Sequence, residues 1–137
     1  MKINKIEHIG IAVKNLDSAI PLYENIFGLN CYKIEEVNDQ QVKTAFFRVG
    51  ETKIELLAPT STESPIAKFI EKKGEGIHHI AFSVNGISAG LNDLTSKNVQ
   101  LIDQKTRKGA EGMDIAFIHP KSVNGVLFEL CEKNIIQ

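Results

Sequence analysis

Two histidines and two glutamates recur in a pattern that could do chemistry. His8 opens the run His8-Ile9-Gly10-Ile11-Ala12-Val13, and His79 opens His79-Ile80-Ala81-Phe82-Ser83-Val84, 71 positions later. Glu55 stands in Lys53-Ile54-Glu55-Leu56-Leu57 and Glu129 in Val126-Leu127-Phe128-Glu129-Leu130, each amid apolar neighbours. A carboxylate in such a run is expensive to desolvate unless it is paired or bound to a metal. Side chains alternate across a strand, so Glu55 faces away from Ile54 and Leu56, and Glu129 away from Phe128 and Leu130. With those neighbours packed under helices, the glutamates share the opposite face with the histidines. Two imidazoles and two carboxylates converging there make an N₂O₂ donor set with room for two more oxygen ligands. Such a set suits Co²⁺, Ni²⁺, Mn²⁺, Zn²⁺ or Mg²⁺.

The elements that must position these residues repeat as well. Each histidine begins a short strand rich in β-branched residues. Eight residues on, a helical face starts in both halves: Leu16, Ile20, Tyr23 and Phe27, then Ile87, Leu91 and Leu94. Asn15, Asp17 and Ser18 are candidate caps, Pro21 falls near the first turn, and Gly28 suits the left-handed position past the end. Ser88 and Asn98 bracket the second helix. Strand patterns come next at about 30–35, 43–49 and 53–57, and again at about 100–104, 114–119 and 126–131. The last two of each half form a hairpin, through Gly50-Glu51 and through residues 121–125, where Asn124-Gly125 is a turn signal. Each half is therefore a βαβββ unit. Between them, Ser64-Pro65 followed by Ile66, Phe69, Ile70 and Gly74 reads as a capped linker helix. The expected fold is α+β: two tandem βαβββ modules forming one curved eight-stranded sheet around a metal site. It is read as a single domain over 1–137, with module 1 at about 5–58, the linker at about 59–75 and module 2 at about 76–132.

Composition narrows the rest. A length of 137 residues fits one domain. A net charge of −1 leaves no electrostatic footprint for nucleic acid or an anionic membrane, so neither is an expected partner. Two cysteines cannot make a disulfide scaffold and read as thiols of a reducing compartment. Neither a secretory leader at the start nor an apolar run of about 18 residues is visible. A soluble, cytoplasmic protein is the expectation.

Several stretches are more specific than periodicity. Glu55-Leu56-Leu57-Ala58-Pro59, Ser64-Pro65-Ile66-Ala67-Lys68-Phe69, Gly76-Ile77-His78-His79-Ile80-Ala81, Phe117-Ile118-His119-Pro120-Lys121-Ser122 and Gly125-Val126-Leu127-Phe128-Glu129-Leu130 resemble the vicinal oxygen chelate superfamily, which includes glyoxalases, bleomycin-resistance proteins and dioxygenases. Within it they most resemble the methylmalonyl-CoA epimerases, over about residues 5–132. The resemblance implies that His8, Glu55, His79 and Glu129 hold one divalent metal and that the substrate is an acyl-CoA thioester. It also implies a homodimer that interconverts (R)- and (S)-methylmalonyl-CoA by removing the proton alpha to the thioester, through a metal-stabilised enolate. Glu129 is then one base. Some epimerases carry a further glutamate near positions 39–45, where this chain has Asp39-Gln40-Gln41-Val42-Lys43-Thr44-Ala45. Glu55, related to Glu129 by the repeat, is the expected second base, with Asp39 or a water next in line.

Rival readings use the same scaffold. A glyoxalase I-type lactoylglutathione lyase shares the His, Glu, His, Glu order, and a metal-free small-molecule binding protein shares the fold. An extradiol-type dioxygenase needs only two histidines and one carboxylate on iron. The doubled His78-His79 and the segment His119-Pro120-Lys121-Ser122 favour the epimerase. His119, Lys121 and Ser122 are candidate substrate-binding residues, although a hairpin turn would use the same types. His78 should face away from His79 and pack. Cys131 should share the face of Glu129 as a buried, inert thiol, and residues 109–112 read as a mobile loop near the site.

Overall fold

The computed structural model describes residues 1–133; the last four positions of the expected domain, 134–137, lie outside the described residues. Eight strands and three α-helices succeed one another as β1 (Lys2–Ala12), α1 (Leu16–Phe27), β2 (Cys31–Val37), β3 (Val42–Val49), β4 (Thr52–Pro59), α2 (Pro65–Lys73), β5 (Gly76–Asn85), α3 (Ile87–Ser96), β6 (Arg107–Lys108), β7 (Asp114–Ile118) and β8 (Phe128–Glu132). The fold is the expected α+β arrangement of tandem βαβββ modules. None of its helices is long and apolar enough to cross a membrane, among the described residues.

The chain forms two compact units. One is His8–His78; the other joins Met1–Glu7 to the chain from His79 onward. Strand β1 therefore begins in the second unit and ends in the first. Read through β1, the hydrogen-bonded strand order is β2-β3-β4-β1-β5-β8-β7-β6. The two modules share one plan. In the first, β1 runs parallel to β4, and β2, β3 and β4 form an antiparallel meander. In the second, β5 runs parallel to β8, and β6, β7 and β8 form the meander.

In the first unit each face of the sheet has its own core. Val13, Leu16, Ala19, Ala45, Phe47, Leu56 and Ala58 pack together with Ile11 and Ile54, so α1 covers the side carrying Ile54 and Leu56. Ala12, Val42, Leu57 and Ile66 cluster with Phe69 and Ile70 of α2 on the other face. The second unit repeats the division. Leu130 and Phe128 pack with Ile87, Leu91 and Leu94 of α3. Ala81, Ile115, Phe117 and Cys131 line the opposite face. The side chains flanking each glutamate thus lie under a helix, as alternation requires.

Local chemistry explains most helix ends. Asn15 caps α1 by accepting from the Asp17 amide at 2.7 Å, and Gly28 closes it at φ 68°. Ser64 caps α2, accepting from the Ile66 amide at 3.1 Å, with Pro65 in the first turn. Pro21 lies further into α1 than the first turn, since that helix starts at Leu16.

Two expectations are corrected. Helix α3 is not capped by Ser88, which lies inside it: its first residue comes after Gly86, which has no side chain to give. The Glu132 carboxylate, from the end of β8, accepts from the Gly86 and Ile87 amides at 2.8 and 3.0 Å instead. The strand expected at 100–104 is reduced to a single bridge, Leu101 to Ile118, and β6 forms at Arg107–Lys108. The physical cause is Asp103. Its side-chain carboxylate accepts from the Phe117 amide at 2.9 Å, taking the place a backbone carbonyl would hold and ending the ladder there.

Candidate active site

Strand register builds the same small constellation in both units. In the first, Gly10 pairs with Glu55 across the parallel β1–β4 ladder. In the second, Ala81 pairs with Glu129 across β5–β8. Each histidine stands two residues before the paired position, hence on the same face as its glutamate. His8 Nδ1 lies 3.1 Å from Glu55 Oε2, and His79 Nε2 lies 2.9 Å from Glu129 Oε1. All four residues are about 5% exposed, so these groups are held out of bulk water.

Beside each glutamate, on the neighbouring strand, is a phenylalanine. Phe46 is the antiparallel partner of Glu55, and Phe117 that of Glu129. The Phe117 ring also meets His79 edge-on, with centroids 5.6 Å apart. These two aromatics escaped the sequence reading, yet the signal was present: Phe46 and Phe117 are 71 positions apart, like the histidines. The glutamates are 74 apart, because the β7–β8 connection carries three extra residues, accommodated by a 3₁₀ turn over Pro120–Ser122.

The donor set fits a divalent ion. Neighbouring ligands of an octahedral ion with bonds of about 2.1 Å sit about 3.0 Å apart, close to both pair distances. A tetrahedral ion would spread them to about 3.4 Å. Imidazole nitrogen and carboxylate oxygen are the donor types that Mn²⁺, Co²⁺, Ni²⁺ and Zn²⁺ accept. Each buried pair thus has the chemistry and spacing of two adjacent ligands, with a phenylalanine beside each carboxylate and, in the first unit, buried Lys53 on the same face.

Other candidates are placed in turn. His119 Nδ1 accepts from the Lys121 amide at 3.0 Å, and Ser122 Oγ accepts from the Gln100 amide at 2.8 Å; both fasten the turn after β7. Lys121 is exposed beside them. His78 turns from His79 and meets the Phe69 ring edge-on at 4.9 Å, as alternation predicts. Cys131 is buried on the face of Phe117, with Sγ 3.4 Å from the Phe82 carbonyl. In the stretch 39–45, Asp39 is exposed in a 3₁₀ turn, while buried Thr44 alternates with Ala45 onto the face of Phe46 and Glu55. No acid from that stretch stands on the site face.

Comparison with known proteins identifies the family of this chain. Residues 7–117 match the model of the glyoxalase/bleomycin resistance protein/dioxygenase superfamily. An uncharacterized Bacillus subtilis protein, YqjC, is 49% identical over 95% of this chain and 93% of its own length. The mitochondrial methylmalonyl-CoA epimerase of Dictyostelium discoideum is 42% identical, over 96% of this chain and 80% of its own. A structure of a Streptomyces coelicolor methylmalonyl-CoA epimerase variant, in complex with 2-nitronate-propionyl-CoA, superposes with a TM-score of 0.93 at 33% identity, covering 99% of each chain. Two repeated His–Glu pairs on a tandem βαβββ scaffold and these relatives lead to one conclusion: the chain belongs to the glyoxalase/bleomycin resistance protein/dioxygenase superfamily and is an epimerase-like enzyme.

Proposed function

We propose that this enzyme interconverts (R)- and (S)-methylmalonyl-CoA, with His8, Glu55, His79 and Glu129 holding a single divalent ion. The observation that carries the reading is the recurrence, in identical register, of a buried His–Glu pair beside a phenylalanine. Burying two carboxylates is costly unless something of opposite charge meets them. A divalent ion supplies Lewis-acid stabilisation of the negative charge that develops when the α-proton leaves.

Epimerisation needs a proton removed from one face of the substrate carbon and returned to the other. Two carboxylates related by the repeat suit that task. Glu129, with Oε1 2.9 Å from His79 Nε2, is assigned the proton on one side. Glu55, with Oε2 3.1 Å from His8 Nδ1, serves the other. Thr44 cannot replace Glu55 as a base, since its alcohol hydroxyl stays protonated at neutral pH and takes up no second proton. His119, Lys121 and Ser122 offer polar groups to the CoA portion, Lys121 supplying a cation. The protein is further read as a cytoplasmic homodimer, in keeping with its two thiols, Cys31 and Cys131, and with the exposed Leu22, Ile26 and Phe27 along α1.

The test is solvent deuterium exchange into each stereoisomer of methylmalonyl-CoA, with metal content measured in every sample. Glu129→Gln should lose exchange from one isomer and Glu55→Gln from the other, each by on the order of 10²-fold or more. Metal-loaded Glu55→Gln that exchanges both isomers at the wild-type rate places the second base elsewhere. Wild-type protein, metal-loaded, that exchanges neither isomer removes the epimerase reading.

A further inference from the structure

We propose that Arg107 recognises the free carboxylate of the substrate and sets the preference for dicarboxylic over monocarboxylic acyl thioesters. The inference rests on the epimerase reading above. Arg107 lies in β6 opposite Ile115 of β7, and Ile115 stands two residues from Phe117, so all three share one face. That face carries His79 and Glu129. The guanidinium carbon sits 5.5 Å from the centroid of Phe117, the same ring that meets His79 edge-on at 5.6 Å. The cation, on β6, and the proposed base, on β8, therefore flank one ring that stands on the strand between them, β7.

The arginine is held in place. Asp103 Oδ1 accepts from Arg107 Nε at 3.1 Å, and Asp103 Oδ2 accepts from the Phe117 amide at 2.9 Å. The carboxylate that ends the ladder at residue 103 thus also fixes the guanidinium over the ring. With Nε engaged and the cation over Phe117, the outer edge with its two Nη groups is presented to a ligand. A planar fork of this kind matches a carboxylate with two parallel N–H···O bonds. Its ring neighbour Phe117 and its register partner Ile115 are apolar and offer the guanidinium no competing acceptor. Arg107 itself keeps solvent access, its side chain being 42% exposed, so a ligand can reach it.

The test compares metal-loaded wild type, Arg107→Gln and Arg107→Lys by calorimetric binding of malonyl-CoA and propionyl-CoA, and by kcat/KM for methylmalonyl-CoA. Charge-assisted hydrogen bonds of this class predict that Arg107→Gln binds malonyl-CoA about 10- to 100-fold more weakly, with propionyl-CoA unchanged. Arg107→Lys, which keeps the charge and loses the fork, should fall between. Asp103→Asn, which releases the arginine, should show the same selective loss to a smaller extent. Equal loss of both thioesters by Arg107→Gln overturns the proposal in favour of a contact with the CoA phosphates or a role in folding. So does unchanged malonyl-CoA binding. Wild type that epimerises methylmalonyl-CoA yet does not favour malonyl-CoA over propionyl-CoA overturns the proposal alone, whereas wild type without epimerase activity overturns the functional reading and this inference with it.

Discussion

Removing the Glu132 carboxylate should unfasten α3, although residue 132 lies 45 positions from that helix's first residue. Helix α3 begins after Gly86, whose φ of 78° admits the turn and which offers no side-chain acceptor. Its leading amides, Gly86 and Ile87, are met by the two Glu132 oxygens at 2.8 and 3.0 Å. Loss of an N-cap costs about 1 kcal/mol, and loss of a negative charge at a helix N-terminus adds roughly 0.3–1 kcal/mol. Glu132→Ala should therefore lose roughly 1.3–2 kcal/mol, the sum of the two. Glu132→Gln, which keeps one acceptor oxygen and gives up the charge, should lose about 1 kcal/mol. With an unfolding entropy of about 0.3 kcal/mol per kelvin for a chain this long, the melting temperature falls by roughly 5–7 °C and by about 3 °C, respectively. Thermal melts read the global effect, and hydrogen exchange at Gly86, Ile87 and the first turn of α3 reads the local one. An alanine variant that melts within a degree of wild type, with unchanged exchange at those amides, would refute the reasoning. A glutamine variant as unstable as alanine would show that the charge, not the acceptor count, holds the helix.

Three further outcomes are expected. Metal should stabilise the fold: at a hundredfold excess over its dissociation constant the gain is about 2.7 kcal/mol, so chelator should lower the melting temperature by roughly 9 °C, and His79→Ala should abolish that difference. Gly28→Ala should cost about 1 kcal/mol through the left-handed φ of 68° alone, because the space around it is open; a melting temperature equal to wild type would contradict this. Asp93 should titrate below its ordinary value of 3.8, since Lys97 donates to it at 2.8 Å, and Lys97→Ala should raise that value as read by NMR. The sign comes from the lowered folded-state value: whatever this exposed pair contributes is present above the unfolded-state pKa and is lost as pH falls through the folded one.

The sequence by itself determined much of the local structure and the candidate residues. Period and caps place α1 and α2, and period alone places α3, because Asn15, Ser64 and Gly28 act within a few residues of themselves. Alternation divides Ile54 and Leu56 from Glu55, and Phe128 and Leu130 from Glu129, because a strand has only two faces. The 71-residue repeat gives two copies of one module, and with them the expectation that each histidine has a glutamate. The tertiary structure decided what depends on register between distant strands. It set Gly10 opposite Glu55 and Ala81 opposite Glu129, bringing each His–Glu pair to about 3 Å. It also put Phe46 and Phe117 beside the carboxylates. Long-range side-chain bonds overruled local propensity in two places. Glu132 caps a helix that Ser88 does not, and Asp103 stops a strand whose residues read as one, moving β6 to Arg107. Both carboxylates act on backbone amides far along the chain, an effect that neither periodicity nor spacing encodes, since it exists only once the strands have paired.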